Sequence, residues 1–178
     1  MKNNTSYIAQ KKDKKQRVLF VTGLSAIIIG VSVLGFYGIR KVCREYHKQK
    51  LMRENPVVEI AALNIKVPIL EGTDKNTISK AVGHFIGTGD FGKGNYCIAG
   101  HSSPIYKEYF NGLKNVCDGM KITLYDKQKS SYVYTVKESF IVDSDETWIL
   151  NDFGDNRITV ITCTDDGKQR QVVIGILN

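Results

Sequence analysis

The hydrophobic pattern divides the chain into a continuous apolar segment near the N-terminus and a longer region of short alternating runs. Residues 18–39 are 22 consecutive uncharged residues rich in Ile, Val, Leu and Gly. A helix rises about 1.5 Å per residue, so this segment can cross a hydrocarbon core of ~30 Å. A buried helix of a soluble domain usually keeps a polar face. A cleaved signal peptide has a shorter apolar core, ~7–15 residues, followed by small residues. We therefore expect an uncleaved signal anchor, with Phe36 and Tyr37 at one membrane interface.

From Pro56 onward the pattern changes to short β-like runs separated by turn residues. The predicted strands cover residues 57–60, 65–70, 95–99, 121–125, 132–142, 157–162 and 171–177. The polar turn at 126–130 predicts a hairpin between the fourth and fifth runs, and the last two runs form a second pair. Helical signal is weak and limited to residues 77–82, 106–111 and 146–150. Short strands with long connections indicate an all-β barrel or sandwich with small helical inserts.

The positive charge of the chain lies beside the apolar segment. Its 25 basic and 18 acidic residues give a formal net charge of +7. Residues 1–17 and 40–55 hold 12 of the basic and three of the acidic residues, which leaves 13 basic and 15 acidic residues in the rest, a net of −2. A nucleic-acid-binding domain carries its positive charge on the folded part, so we expect no nucleic-acid partner.

The charge and hydrophobic patterns together predict four parts. They are a basic tail at 1–17, the membrane segment at 18–39, a basic linker at 40–55 and a globular domain at 56–178. The linker can continue the helix until Pro56 stops it. Each flank of the membrane segment carries six basic residues, so the positive-inside rule leaves the orientation open.

Four cysteines are present: Cys43, Cys97, Cys117 and Cys163. Cys43 lies in the charged linker. Cys97 and Cys117 either pair or remain as two buried free thiols. A domain of about 120 residues can bury an adequate core without disulfides, which favours the free thiols.

Nucleophilic thiol chemistry needs a thiolate, a nearby histidine and a group that neutralises the oxyanion. The predicted domain contains only two histidines, His84 and His101, and two arginines, of which one is Arg170. Cys163 ends one β-like run and Arg170 begins the next, so pairing of these runs would place the two residues face to face. His101 follows Gly100 at the end of another run. Each residue alone also has a structural explanation, as a small buried hydrophobe, a surface ion-pair partner or a satisfied histidine.

Taken together, these segments resemble the sortase family, and most closely its class A. Residues 159–163 read Thr-Val-Ile-Thr-Cys, similar to the family's Thr-Leu-x-Thr-Cys signature with valine in place of leucine. Residues 99–101 match the strand-end Gly-His element, and residues 170–173 match the arginine that opens the last strand. Residues 64–70 and 83–89 resemble the early Pro-Ile strand and the Gly-His-x-x-Gly-Thr segment.

The resemblance covers residues 57–177 in order and implies a closed eight-stranded β-barrel. It implies that Cys163 is the nucleophile and His101 the acid–base residue, that Arg170 holds the oxyanion or the substrate backbone, and that His84 is structural. The substrate groove that it implies has Ile161 and Thr162 on its floor and Ala99 and Ser102 on its wall.

The implied reaction is transpeptidation of surface proteins at a C-terminal Leu-Pro-x-Thr-Gly sorting signal. The acceptor would be an amine of a lipid-linked peptidoglycan precursor. The resemblance also implies a cytoplasmic N-terminus and a domain on the outer face of a Gram-positive membrane. Two alternatives stay open: a membrane-tethered cysteine peptidase that only hydrolyses, and a catalytically silent binding module. A papain-like peptidase is disfavoured because its histidine follows its cysteine in sequence, whereas His101 precedes Cys163.

Calcium is the one cofactor that the resemblance raises. Some class A members bind calcium through an acidic cluster between strands three and four. The corresponding residues 88–94 contain one acid and one lysine, whereas a calcium site needs several oxygen ligands. We therefore expect no dependence on calcium and no other cofactor.

Overall fold

The computed structural model describes residues 2–102 and 109–178, and only the backbone of residues 2–16 and 18. The chain forms two compact units, Met1–His47 and Lys48–Asn178. Helix α1 (Lys2–Glu54) includes the predicted membrane segment and both of its basic flanks. It ends just before Pro56, which cannot donate an amide hydrogen bond and disfavours helix in the residue before it.

The apolar part of α1 is exposed along its described length. Large hydrophobic side chains between Leu19 and Ile39 are 48–74% accessible. Of the described helices, α1 alone is long and apolar enough to cross a membrane. Apolar side chains that no protein surface covers are what a lipid-facing helix requires, so this exposure is compatible with a membrane anchor.

The second unit contains a closed barrel of eight strands. The strands are β1 (Val57–Ile60), β2 (Ile65–Glu71), β3 (Val82–His84), β4 (Asn95–Ala99), β5 (Lys121–Tyr125), β6 (Ser131–Asp143), β7 (Arg157–Cys163) and β8 (Gln169–Leu177). The helical inserts are short: α2 (Lys75–Ile78) and the 3-10 turns Ala61–Leu63, Leu113–Asn115 and Trp148–Leu150. The closed eight-stranded barrel expected from the family resemblance is confirmed.

Strand order around the barrel is β1-β2-β3-β4-β7-β8-β6-β5, and β5 pairs with β1 to close it. Two neighbouring pairs are parallel, β2 with β3 and β4 with β7, and the others are antiparallel. Parallel neighbours need a crossover connection, and the β4–β7 pair is separated in sequence by the whole β5–β6 hairpin. That hairpin and the β7–β8 pair are both as predicted.

The barrel interior is apolar because alternate side chains of each strand point inward. Buried side chains of this core include Ile98 on β4, Tyr134 on β6 and Ile158 and Val160 on β7. Gly175 on β8 makes room for them: a Cβ there would lie 3.0 Å from Ile158 and 3.1 Å from Tyr134. A second apolar cluster on the outer face of β7 and β8 is formed by Ile149, Ile161, Val172 and Ile174.

All seven strands predicted from the pattern occur, and four are one or two residues longer than predicted. The helix predicted at 77–82 was wrong beyond Ile78, because Val82 begins β3. The one predicted at 146–150 is reduced to the 3-10 turn Trp148–Leu150. The one predicted at 106–111 lies partly outside the described residues, and its described end is a turn.

The cysteine prediction was half right. Cys97 and Cys117 are both free thiols, but only Cys97 is buried. Cys117 is exposed because it lies in the turn before β5, outside the barrel wall.

Candidate active site

The end of β7 and the start of β8 bring Cys163 and Arg170 together. The antiparallel register pairs the two residues directly, in the last pair of the ladder. Both side chains are partly exposed. The face-to-face placement predicted from the sequence is therefore present, and the thiol lies where a substrate can reach it.

The connection between these two residues is a short turn with many internal hydrogen bonds. The Thr164 amide donates to the Gln169 carbonyl (3.1 Å), and the Gly167 amide donates to the Thr164 carbonyl (2.8 Å). The Thr164 hydroxyl donates to Asp166 Oδ1 (2.6 Å), and the Lys168 amide donates to the same oxygen (3.1 Å). The Thr164 hydroxyl is the main cause of the lowered pKa of Asp166. These bonds fix the register of the two strands at the site.

Arg170 directs its guanidinium toward this turn. Its Nη1 donates to the Gln169 carbonyl (3.0 Å) and to the Gly167 carbonyl (3.4 Å). A guanidinium has five N–H donors in a planar fork, so donors remain for another acceptor. The side chain can bind an anionic group beside Cys163 while it keeps the turn in place.

His101 reaches the same region from β4, which lies parallel to β7. The ladder pairs Ala99 with Ile161, and the Gly100 amide continues it by donating to the Ile161 carbonyl (3.1 Å). Continued for one more residue beyond Gly100, this register would set His101 level with Cys163. The imidazole is exposed. Among the described residues, no hydrogen bond joins it to Cys163 or Arg170.

The backbone just before His101 is tightly held. The Thr162 hydroxyl donates to the Gly100 carbonyl (2.8 Å), and the Phe110 amide donates to the His101 carbonyl (3.0 Å). A Cβ at Gly100 would lie 2.8 Å from the Phe110 ring, which explains why glycine occupies this position. Packing around these bonds determines where the chain places the imidazole.

The four residues predicted to line a groove lie beside this region with different exposure. Ala99 and Ser102 are partly exposed. Ile161 and Thr162 are buried, at 5% and 3% accessibility. Ile161 packs in the outer apolar cluster, and the Thr162 hydroxyl binds the Gly100 carbonyl. Their roles toward a substrate stay predictions, while their contacts show that they support the ends of β4 and β7.

His84 has a separate and buried environment. Its Nδ1 lies 3.0 Å from Glu71 Oε1, and its Nε2 lies 3.1 Å from the Thr88 hydroxyl. The ring stacks on Tyr96 at 4.2 Å between centroids. Burial, followed by the nearby Glu71 charge, raises the pKa of Tyr96. Both ring nitrogens of His84 thus have protein partners, as expected of a structural histidine.

A cleft on the outer face of the barrel was not predicted from the sequence. We call it the outer cleft; it has a volume of about 410 Å³, and its walls include Phe140, Trp148, Ile149, Phe153, Arg157 and Ile174. A β-bulge between Val136 and Glu138 shifts the alternation of β6, so that Phe140 packs against the outer cluster. A bulge is hard to read from one sequence. The single tryptophan of the chain, Trp148, was the only residue that could have pointed to this cleft from the sequence.

The described residues contain no group of three or more His, Cys, Asp or Glu side chains arranged to hold a metal ion. Independence from calcium stays a prediction.

Comparison with known proteins identifies the family of the barrel domain. Residues 58–178 match the family model of the sortase domain. Sortase A of Bacillus anthracis is 33% identical over 123 residues, which cover 67% of this chain and 58% of that protein. The solved structure of Listeria monocytogenes sortase A has a TM-score of 0.65 at 27% identity and covers 69% of this chain and 86% of that chain. A Clostridium perfringens sortase D5 transpeptidase has a TM-score of 0.64 at 27% identity and covers 75% of this chain and 88% of that chain. The chain belongs to the sortase family.

The predicted closeness to class A agrees with relatives that bear the name sortase A. The chain spans about half the length of these curated relatives, between 49% and 58%.

Proposed function

We propose that this protein is a membrane-anchored cysteine transpeptidase. It cleaves a C-terminal Leu-Pro-x-Thr-Gly sorting signal of surface proteins between Thr and Gly. It then transfers the threonine carbonyl to an amine of a lipid-linked peptidoglycan precursor. Residues 18–39 are the membrane anchor, the N-terminus is cytoplasmic and the barrel lies outside the cell.

The observation that carries the proposal is the register at one end of the barrel. Cys163 pairs directly with Arg170, and the β4–β7 register, whose last pair is Ala99 with Ile161, would bring His101 level with Cys163 if it continued for two more residues. A nucleophile, a proton carrier and a fixed cation on one exposed edge are the groups that acyl transfer needs. In a chain of the sortase family, this arrangement favours catalysis over a silent binding role.

The proposed chemistry has two acyl-transfer steps. The Cys163 thiolate attacks the threonine carbonyl carbon and forms a tetrahedral oxyanion next to Arg170. The C–N bond breaks as imidazolium His101 donates a proton to the leaving glycine amine, which leaves a thioester. Neutral His101 then accepts a proton from the incoming amine as that amine attacks the thioester carbon. The second tetrahedral species releases the thiolate and forms the new amide bond.

Arg170 is suited to the oxyanion because its cation is held at the edge of the site. Its present acceptors are two backbone carbonyls of the β7–β8 turn. A charged donor to an oxyanion stabilises the transition state more than it stabilises the neutral carbonyl of the bound substrate. Ile161 and Thr162 support the groove floor from beneath, and Ala99 and Ser102 form the wall beside His101.

A thioacyl trap tests the proposal directly. The full-length chain in detergent micelles is incubated with a Leu-Pro-x-Thr-Gly peptide, and adducts are located by peptide mapping. We expect the acyl group on Cys163, and loss of peptide cleavage in Cys163→Ala. Cys117→Ala is the matched control because Cys117 is also a free thiol that solvent reaches. Unchanged processing by Cys163→Ala would reject the mechanism.

The hydrolytic alternative is separated by the products. With an added amine acceptor, mass spectrometry should show a new amide on the threonine carbonyl instead of the free acid. A free acid as the only product with acceptor present would identify a peptidase. Binding of the peptide without any cleavage by the unmodified chain would identify a binding module.

A further inference from the structure

A second cavity lies at the end of the barrel opposite Cys163, and we call it the distal mouth. The β4–β7 register pairs Tyr96, which lines this cavity, with Ile158. Ile158 precedes Cys163 by five residues on the same strand, so this level of the barrel is about 17 Å from the level of the thiol. The distal mouth has a volume of about 450 Å³, which is within the range of small-molecule sites, and barrel mouths commonly hold such sites.

The walls of the distal mouth come from several elements that meet at this end of the barrel. They are the ends of β2 and β3, the β3–β4 connection, the starts of β4 and β6, and the β5–β6 turn. Polar groups and aromatic rings from these elements face one cavity, and they include Glu71, Asp90, Phe91, Tyr96, Asp126 and Tyr132.

The Tyr96 hydroxyl is a polar group without a protein partner, although its residue is only 3% accessible. The ring is held by stacking on His84 and by contact with Phe91, at 4.2 Å and 5.0 Å between centroids. No hydrogen bond to Tyr96 Oη occurs within residues 2–102 and 109–178. Every fully enclosed side-chain oxygen of these residues has a partner, so Oη must open into the distal mouth. Buried polar groups are normally paired, and this hydroxyl is therefore available to a ligand.

Three carboxylates give the distal mouth a negative potential. Glu71 is exposed and keeps lone pairs beyond those that face His84 Nδ1. Asp90 and Asp126 each accept one backbone amide with Oδ1, from Phe91 and Ser130, which leaves Oδ2 for another donor. Burial, followed by the charges of Glu71 and Asp90, raises the pKa of Tyr96. The potential at its hydroxyl is thus set by carboxylates.

Two lysines of the β5–β6 turn border the distal mouth without neutralising it. Lys127 is exposed and carries the one permanent positive charge among the described lining residues. Lys129 is already occupied, because its Nζ donates to the carbonyls of Met52 (3.0 Å) and Asn55 (3.4 Å). Three carboxylates therefore outnumber these two ammonium groups.

A primary ammonium fits these acceptors best. It is a compact charge with three rotatable donors, and Tyr96, Glu71 and Asp90 offer acceptors on separate walls. A guanidinium is a planar fork that suits a single carboxylate. The rings of Phe91 and Tyr132, 5.7 Å apart between centroids, attract cations and can cover an alkyl stem.

We propose that the distal mouth is a binding site for a primary ammonium on a flexible apolar stem, as in the lysine side chain of a partner peptide. Tyr96, Glu71 and Asp90 accept its N–H donors, and the Phe91 and Tyr132 rings contact its stem. The site lies apart from Cys163 and takes no part in the chemistry, so it does not depend on the proposed function.

The test is a titration of the full-length chain, labelled with ring-¹³C tyrosine, in micelles of a nonionic detergent. The probe is lysine with its α-amine acetylated and its carboxyl group amidated, so that the side-chain ammonium is its one charge. Norleucine blocked in the same way keeps the stem and lacks the ammonium. The NMR shift of the Tyr96 signal, identified by its loss in Tyr96→Phe, gives Kd. We expect lysine to bind about tenfold tighter than norleucine at low salt, and less so at 1 M salt.

Tyr96→Phe assigns the binding to the distal mouth, because it keeps the ring and removes only the hydroxyl. The unfolding free energy should not fall, since this hydroxyl has no protein partner. The affinity for lysine should fall about three- to tenfold, read from the Tyr132 signal. The affinity for norleucine should not change.

A matched pair of carboxylate variants tests the charge. Asp90→Asn keeps an oxygen for the Phe91 amide and should also weaken lysine binding. Asp118→Asn is its control, because Asp118 is exposed in the turn before β5. β5 begins at the other end of the barrel, since its last residue, Tyr125, pairs with the first residue of β1. This variant should bind lysine as the unmodified chain does.

The outcomes separate this inference from the proposed function. A distal mouth that holds only water would give no saturable shift with lysine, which overturns the inference. Equal Kd values for lysine and norleucine, or unchanged lysine affinity in Tyr96→Phe, overturn it as well. Normal lysine binding by a chain that forms no Cys163 adduct with a sorting peptide would overturn the proposed function alone.

Discussion

Asn95 and Thr159 bind each other through their side chains across the parallel β4–β7 pair, and the Thr159 hydroxyl donates to Asn95 Oδ1 at 2.6 Å. Both residues are buried. The Asn95 amide group donates in turn to the Ile149 carbonyl (3.0 Å) and the Asn151 carbonyl (2.8 Å). One side chain thus attaches the β6–β7 connection, which forms part of the outer cleft, to the strand that leads to His101.

Asn95→Asp should loosen this attachment, because a carboxylate has no N–H to offer the two carbonyls. We expect a loss of unfolding free energy of about 1–3 kcal/mol, the cost of leaving buried polar groups unpaired. Denaturant unfolding of the full chain measures it. Asn156→Asp is the matched control: Asn156 is exposed and its Oδ1 only accepts a bond from the Gly94 amide (3.1 Å), which aspartate can replace. Equal unfolding free energies of the two variants would contradict the stabilising role of the Asn95 hydrogen bonds.

Activity should depend on the planar, paired N–H donors of the Arg170 guanidinium and not only on its positive charge. Loss of one donor to an oxyanion typically lowers kcat by about 10²–10³-fold, and we expect Arg170→Ala to fall in that range. Arg170→Lys should recover only part of the activity, since an ammonium is a point charge without paired planar donors. Steady-state cleavage of the sorting peptide measures both variants.

Lys168→Ala serves as the control for Arg170, because Lys168 is an exposed cation of the same turn. It should change kcat/KM by about twofold or less, as is usual for exposed charges. An equal loss in the two alanine variants would show that only the net positive charge of the turn matters.

The four thiols should differ in reactivity. Burial raises the pKa of Cys97 to about 11, so this thiol remains protonated below that pH, and a protonated thiol is a poor nucleophile. We expect iodoacetamide at neutral pH to label the exposed Cys43 and Cys117 and the partly exposed Cys163, but not Cys97. Peptide mapping by mass spectrometry reads out the sites. Urea should make Cys97 reactive; native labelling of Cys97 as fast as Cys117 would contradict its burial.

Calcium should not change turnover. The segment between β3 and β4 provides few oxygen ligands, with Asp90 its one carboxylate between residues 88 and 94. Calcium needs six to eight oxygens, at roughly 2.3–2.6 Å. Equal rates in chelator and in millimolar calcium are expected, and stimulation by calcium would show that ligands from elsewhere complete a site.

Most of the barrel could be predicted because its strands have local signals. Alternating apolar residues and the turn before Ser131 identify the β5–β6 hairpin, and they need no knowledge of distant contacts. β3 could not be found this way. It has three residues, Val82–His84, and it follows a helical signal that its neighbours on β2 and β4 override.

In the candidate site, the pairing of neighbouring strands was predictable, but the outer cleft was not. The pairing of Cys163 with Arg170 follows from two adjacent strands, so their spacing in sequence sets it. The outer cleft depends on the β-bulge before Glu138 and on hydrogen bonds from Asn95, which lies 54 residues from Ile149. Such long-range contacts leave no periodic pattern in a single sequence. Trp148 was therefore predicted to lie on a short helix, without a role.

The parallel pairing of β4 with β7 has a consequence for folding. Gly100 and Thr162 are bonded although they are 62 residues apart, and contacts of such high sequence separation form slowly because a long loop must close first. β4 and β7 therefore pair only after the chain between them in sequence, which carries the β5–β6 hairpin, has closed into a loop. A chain that emerges unfolded from a membrane would carry its thiol without its histidine until the barrel closes. In the proposed mechanism, acyl transfer would therefore begin only after the barrel has closed, and activity would report the completed fold.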